Sequence, residues 1–300
     1  MDDLLFRGVA PALVTPFTAD DEIDEDAFRG LIQRQIDGGV SGLVVLGTTG
    51  ENPTITDEER RRLVDIAVET ADGRVPVIIG TGTNNTDQSV AYSAAAAEAG
   101  ADGVLVVGPY YNKPSQAGFR GHVEAIADAT DTPIILYNVP GRTSFNIAPE
   151  TVLQLGEEVP QVVGVKEASG DIDQISEILL HRPDDFAVYS GDDAMTLPLL
   201  ALGADGVVSV ISNALPERIS TMVNDGLNGD LAAAREQHFD LLPAMQACFL
   251  ETNPVPIKDV CATLGWMEPH VRLPLEPLDE RAPVRQRILA AFEEFLDVAV

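Results

Sequence analysis

Short apolar runs rich in β-branched residues recur along this chain, and amphipathic stretches separate them. The runs are Gly8 to Val14, Gly42 to Leu46, Val75 to Gly80, Gly103 to Val107, Pro133 to Tyr137, Val162 to Val165, Phe186 to Ser190 and Gly206 to Val210. Each is continuous rather than alternating, the pattern of parallel strands buried on both faces. The stretches between them carry helical spacing. Asp24 to Ile36 puts Phe28, Leu31, Ile32 and Ile36 on one side. Thr56-Asp57-Glu58-Glu59 reads as an N-cap and capping box ahead of Leu63, Ile66 and Ala67. Thr86 to Gly100 is alanine-rich and closes on glycine. Strand and helix alternating in this way predict a (β/α)8 TIM barrel, an α/β fold, over residues 1–215. An open doubly wound sheet would carry a GxGxxG turn after an early strand, and Gly80-Thr81-Gly82-Thr83 lacks the third glycine. Beyond Ser212 the strand pattern stops. Residues 216–228, 230–249, 254–264 and 283–298 read as helices, so 216–300 is expected to be a C-terminal helical extension packed on the barrel.

Composition narrows the partners. No apolar run approaches the roughly 20 residues of a membrane span, and the acidic start Met1-Asp2-Asp3 lacks the basic opening of a signal peptide. The expectation is a cytoplasmic chain with no membrane partner. The formal net charge of −29 has the wrong sign for nucleic acid. An apolar fraction of 45% is too high for a disordered acidic segment. Of the 19 cationic residues only Lys113, Lys166 and Lys258 are lysines. An acidic, lysine-poor surface on an ordinary core suggests adaptation to a salt-rich cytoplasm, where ions screen self-repulsion. Cys248 and Cys261 have no metal or redox spacing and read as small core residues. The four histidines are scattered singly, so no metal site of the HxH or HExxH kind is expected.

Barrel chemistry sits at the C-terminal rim of the strands, which directs attention to the residues closing each run. They are Gly47-Thr48-Thr49-Gly50-Glu51, Tyr110-Tyr111-Asn112-Lys113-Pro114, Tyr137 through Thr143, Lys166-Glu167-Ala168-Ser169-Gly170 and Ser190-Gly191-Asp192-Asp193. Lys166 directly follows a buried run. Burial favours the neutral amine, which is the form that attacks a ketone. A structural ion pair with Glu167 is the competing reading of this lysine. Tyr137, one strand away, can shuttle protons, or it can merely pack at the rim. Thr48 and Thr49 offer hydroxyl and N–H donors to a carboxylate, although their flanking glycines also suit a plain turn. Tyr111 can extend a hydroxyl chain between Thr48 and Tyr137, and Tyr110 fits the same description. Arg142 carries the planar fork that recognises a carboxylate, or it is a surface arginine.

Together with Ser190-Gly191-Asp192-Asp193 and Asn253-Pro254-Val255-Pro256-Ile257-Lys258, these motifs resemble the dihydrodipicolinate synthase / N-acetylneuraminate lyase family, from about residue 7 to the C-terminus. The resemblance implies class I aldolase chemistry: Lys166 condenses with pyruvate, and Tyr137, Thr48 and Tyr111 relay protons. It implies that Tyr111 reaches the site of a neighbouring subunit, in a dimer of dimers. Thr49, Gly191 and the backbone near Val208 would hold the keto acid. No cofactor and no metal are implied, because the imine is itself the electron sink. Arg142 points to the synthase branch, with L-aspartate-4-semialdehyde as second substrate on the way to lysine and diaminopimelate. Ser144 departs from that branch, which commonly has glycine there. Where lysine-regulated members often carry histidines and a glutamate, this chain has Asp57, Arg60 and Gln88, although Asn84 and Tyr110 match, so weak or absent lysine inhibition is expected. The rival readings are a 2-keto-3-deoxy sugar-acid or N-acetylneuraminate aldolase, which should not depend on Arg142, a phosphate-binding barrel, which Asp192 and Asp193 disfavour, and a non-catalytic binding barrel.

Overall fold

A computed structural model of the chain describes residues 4–296. The acidic start at residues 1–3 and the end of the helix expected to reach 298 lie outside the described residues. All eight expected strands form: β1 Gly8–Pro11, β2 Leu43–Val45, β3 Val77–Gly80, β4 Gly103–Val107, β5 Ile134–Asn138, β6 Val162–Glu167, β7 Ala187–Ser190 and β8 Gly206–Ser209. They are parallel, in the order β1-β8-β7-β6-β5-β4-β3-β2. A parallel bridge between Ala12 and Val44, with Leu13 N–H donating to Val44 O at 2.9 Å, joins β1 to β2 and closes the barrel.

The helices are α1 Glu25–Asp37, α2 Asp57–Ala71, α3 Thr86–Glu98, α4 Gln116–Ala127, the single turn α5 Pro140–Thr143, α6 Pro149–Glu158, α7 Ile172–His181, α8 Thr196–Ala201, α9 Pro216–Leu227, α10 Leu231–Ala247, α11 Val255–Thr263 and α12 Pro283–Leu296. Their starts follow local chemistry. Asp24 accepts from Ala27 N–H at the head of α1, and Thr56 and Glu59 make the expected reciprocal capping box at α2. Asn85, Ser115 and Asp171 cap α3, α4 and α7. Helix α9 packs on β1, and α10 packs on α9 and α12. We propose that the described part of the 216–300 extension, residues 216–296, forms one helical layer whose first member also completes the ring around the barrel. No helix among the described residues is long and apolar enough to cross a membrane.

Two cores result. One lies between strands and helices and holds the outward strand residues with Phe28, Leu31, Phe119 and Phe292. Cys248 and Cys261 are fully buried within it, as expected of small core residues, and burial pushes both thiols up, Cys261 to about 12. The other core fills the barrel with Ala10, Val44, Ile78, Leu105, Ile135, Tyr137, Tyr189 and Val208. Phe6, just ahead of β1, plugs the N-terminal mouth: it stacks on Tyr189 with ring centroids 4.0 Å apart, and its carbonyl accepts from the Tyr189 hydroxyl at 2.7 Å. Strand alternation then leaves the opposite mouth for polar side chains.

Candidate active site

Register decides which way the key residues face. Tyr137 pairs with Lys166, and Lys166 pairs with Tyr189, so all three point into the barrel. Their successors Asn138, Glu167 and Ser190 face the helices. Lys166 is 5% exposed, and its Nζ stands 4.2 Å from the centroid of the Tyr137 ring. Among the described residues no carboxylate reaches Lys166 within ion-pair distance, and none of them hydrogen-bonds its amine. Glu167, the one candidate for a structural pair, is engaged elsewhere. It accepts from Asn138 Nδ2 at 2.7 Å, Ser169 Oγ at 2.6 Å and Gln174 Nε2 at 3.0 Å. Burial raises the Glu167 carboxyl, and those donors oppose the rise. Lys166 is therefore a buried amine without a counter-charge, an arrangement that costs stability unless it serves chemistry.

A cavity of about 450 Å³ is lined by Thr48, Tyr137 and Arg142 together with Asn52, Arg60 and Tyr92; Lys166 does not itself line it and adjoins it through the Tyr137 ring. The turn carrying Thr48 is strained. Leu46, buried at the end of β2, has φ +59, a region a branched side chain rarely enters. Gly80 on β3 makes room for it: a Cβ there would meet Leu46 O at 2.0 Å. Gly50 N–H to Gly47 O at 3.1 Å and Glu51 N–H to Thr48 O at 3.1 Å then tighten the turn.

The remaining expected residues divide. Arg142 is exposed at the cavity mouth, on α5. Thr49 is buried next to Thr48, and its Oγ1 accepts from Asn253 Nδ2 at 2.9 Å. Val208 is 1% exposed in the barrel interior with Tyr137, and Gly191 N–H donates to Glu167 O at 2.6 Å, which seats it against the end of β6. Tyr111 stands apart: it is 89% exposed, with φ +69, and does not line the cavity. Within one chain no hydrogen bond joins Thr48, Tyr111 and Tyr137 among the described residues.

Two features escaped the residue-by-residue reading. Arg60, noted only as a departure, is 6% exposed and reaches the cavity wall. It donates to Gly80 O at 3.0 Å, pairs with the Asn52 side chain and lies 4.0 Å over the Tyr92 ring. The second is a buried ion pair beneath the Thr48 turn, Lys258 Nζ to Glu51 Oε1 at 2.7 Å, which also reaches Thr15 O at 2.8 Å. Burial pulls Lys258 down to about 8 against the pull of Glu51. The signal was there: Lys258 is one of only three lysines and stands among apolar residues.

A closed barrel with an unpaired inward lysine, a tyrosine against it and a cavity at the C-terminal mouth defines a (β/α)8-barrel enzyme. The Dihydrodipicolinate synthetase family model matches residues 5–291, and the chain belongs to that family. It is 75% identical over 298 residues, 99% of both chains, to a 4-hydroxy-tetrahydrodipicolinate synthase of Salinibacter ruber. It is 48% identical to the synthase of Thermotoga neapolitana, covering 92% of this chain and 95% of that one. Among solved structures it resembles the dihydrodipicolinate synthase of Thermotoga maritima, with TM-score 0.94, 43% identity and coverage of 97% and 98%. It also resembles the enzyme of Cyanidioschyzon merolae with lysine bound, with TM-score 0.94, 38% identity and coverage of 99% and 100%.

Proposed function

We propose that the chain makes 4-hydroxy-tetrahydrodipicolinate from pyruvate and L-aspartate-4-semialdehyde, the reaction for which its relatives are named. The observation that carries this reading is Lys166, buried beside Tyr137 with no counter-charge among the described residues. The neutral amine adds to C2 of pyruvate, and loss of water leaves an imine on Nζ. A proton leaves C3, the electron pair moves toward the imine nitrogen, and the resulting enamine carbon attacks the aldehyde. The substrate's own amine then displaces Lys166 and closes the ring. Tyr137 is the group placed to move protons at C2 and Nζ. Thr48 and Thr49 receive the keto-acid carboxylate, with Gly191 and Val208 shaping the wall behind it. Arg142 at the mouth meets the carboxylate of the aldehyde.

Borohydride trapping with pyruvate tests the mechanism. A stable adduct mapped to Lys166 is expected, and none on the active protein would remove it. Arg142→Ala should raise KM for the aldehyde about tenfold or more and leave pyruvate trapping unchanged. An unchanged aldehyde KM would favour the sugar-acid aldolase reading.

The chain is proposed to act in the cytoplasm as a homo-oligomer in which Tyr111, exposed and held at positive φ, completes the proton relay of a neighbouring copy. The charge of −29 supports adaptation to high salt, and thermal stability should then rise with added salt. Lysine inhibition is proposed to be weak: the Arg60 guanidinium is part of the cavity wall and repels a cationic amino acid. Strong inhibition at sub-millimolar lysine would overturn that.

A further inference from the structure

The motif from Asn253 to Lys258 lies on the C-terminal layer, yet its polar groups converge on the turn that carries Thr48 and Thr49. Lys258 is fully buried, lies 4.3 Å over the Phe17 ring and is bonded to Glu51 and to Thr15 O. Lys258 holds Glu51 Oε1, and Arg272 N–H donates to Glu51 Oε2 at 2.9 Å, so the last residue of the turn is held on both carboxylate oxygens. The Thr15 hydroxyl donates to Gly50 O at 2.8 Å and secures the turn from the β1 side. Asn253 is 5% exposed and Thr49 is 2% exposed, and the single side-chain bond of Asn253 runs from Nδ2 to Thr49 Oγ1. Its Oδ1 is buried without a partner among the described residues.

An amide NH2 can only donate, so Thr49 Oγ1 is the acceptor of this bond. A hydroxyl carries one hydrogen, and none of the described residues accepts the one on Thr49. Thr49 is therefore a buried hydroxyl with its acceptor side engaged and its donor side unspent. We propose that Asn253 is a positioning residue: by donating to Thr49 it reserves the Thr49 hydroxyl hydrogen for the carboxylate of the keto acid, while the Lys258–Glu51 pair holds the turn that presents it. This rests on the reading that pyruvate binds at Thr49.

The test is the pyruvate concentration that half-saturates borohydride trapping, which reports keto-acid binding with no aldehyde present. Asn253→Asp replaces the donor by an acceptor that takes the Thr49 hydrogen. It should raise the half-saturating pyruvate concentration about tenfold to a hundredfold, with the adduct still on Lys166 and the aldehyde KM unchanged. In a Thr49→Val background the same substitution should add nothing, since its effect passes through that hydroxyl. If Asn253→Asp does not fold, Asn253→Ala must raise the half-saturating concentration and show the same non-additivity. Wild-type trapping by either variant, or an effect that persists in full without the Thr49 hydroxyl, would overturn the proposal. Absence of any adduct in the unaltered protein would instead remove the parent reading.

Discussion

Lys166 and Lys258 are both nearly inaccessible, at 5% and 0% exposure, and their surroundings are opposite. Lys258 sits between the barrel and the C-terminal layer with a carboxylate at 2.7 Å, a backbone carbonyl at 2.8 Å and an aromatic face beneath it. Lys166 has an aromatic ring at 4.2 Å and no carboxylate within ion-pair distance among the described residues. Backbone strain does not divide in the same way. Leu46 and Ser144, next to residues that line the cavity, have positive φ, and so does Glu51, the partner of Lys258. Among the described residues from 216 onward only glycines have positive φ. Burial alone therefore does not distinguish the two lysines. What separates the two is whether the fold gives the amine polar partners: Lys258 has two, and Lys166 has none among the described residues.

The largest effect should come from Lys166→Ala. On the proposed mechanism, loss of this amine predicts a fall of about 10⁴-fold or more in kcat/KM, no pyruvate adduct, and stability at or above the parent's, since a buried amine without a polar partner is removed. Residual adduct on Lys258 in this variant would collapse the distinction between the two lysines. Lys258→Met is the mirror experiment. Removing one partner leaves Glu51 charged and buried, which predicts a loss of about 3–5 kcal/mol by denaturant titration. Trapping at Lys166 should survive wherever the variant remains folded. Adding Glu51→Gln should recover much of the loss, because an amide is cheaper to bury than an unpaired carboxylate.

The barrel half of this comparison was legible in the sequence and the strut half was not. Continuous apolar runs mark doubly buried strands, so all eight strands could be placed, and of the residues proposed from their polar ends Thr48, Tyr137 and Arg142 line the cavity while Lys166 is buried against Tyr137. Strand alternation even settles that Glu167 faces away from Lys166. Contacts between distant segments leave no such period. Asn253 and Thr49 are 204 residues apart, and Lys258 and Glu51 are 207 apart. Only the packing of α11 on the mouth brings them together. Arg60 was hidden for a similar reason: on α2 it resembles the exposed arginines beside it, and only the fold turns it toward β3. Tyr111 is the reverse case, legible from its motif yet outside its own chain's cavity.

A smaller effect tests how the strut is anchored at the surface. Arg272, whose backbone holds Glu51, pairs through its side chain with Glu59 at 2.6 Å. The Arg272 bonds pull Glu59 down from 4.5 to about 2, with the Thr56 capping bonds assisting. A carboxyl lowered on folding contributes stability that is complete above its unfolded value. The contribution is lost as pH falls from about 4.5 toward 2. Glu59→Gln should cost about 1 kcal/mol at neutral pH and flatten the decline of Tm across that window. An undiminished acid decline would place the sensitivity at other carboxylates.

The smallest effect belongs to the mouth. Ser144 ends α5 at φ +54, in the left-handed region, and is exposed. Glycine takes that conformation without a Cβ penalty, which gives a physical reason for the glycine common at this position in the synthase branch. A glycine also gains freedom in the unfolded chain, which offsets part of the relief. Ser144→Gly should therefore raise stability by only about 0.5 kcal/mol, with KM for the aldehyde unchanged, because the backbone already has the shape glycine would adopt. A changed aldehyde KM with unchanged stability would mean that the serine hydroxyl, rather than the turn, matters at the entrance beside Arg142. Strain at the mouth would then be a poorer guide to where this molecule gives up stability than the buried, unpartnered amine of Lys166.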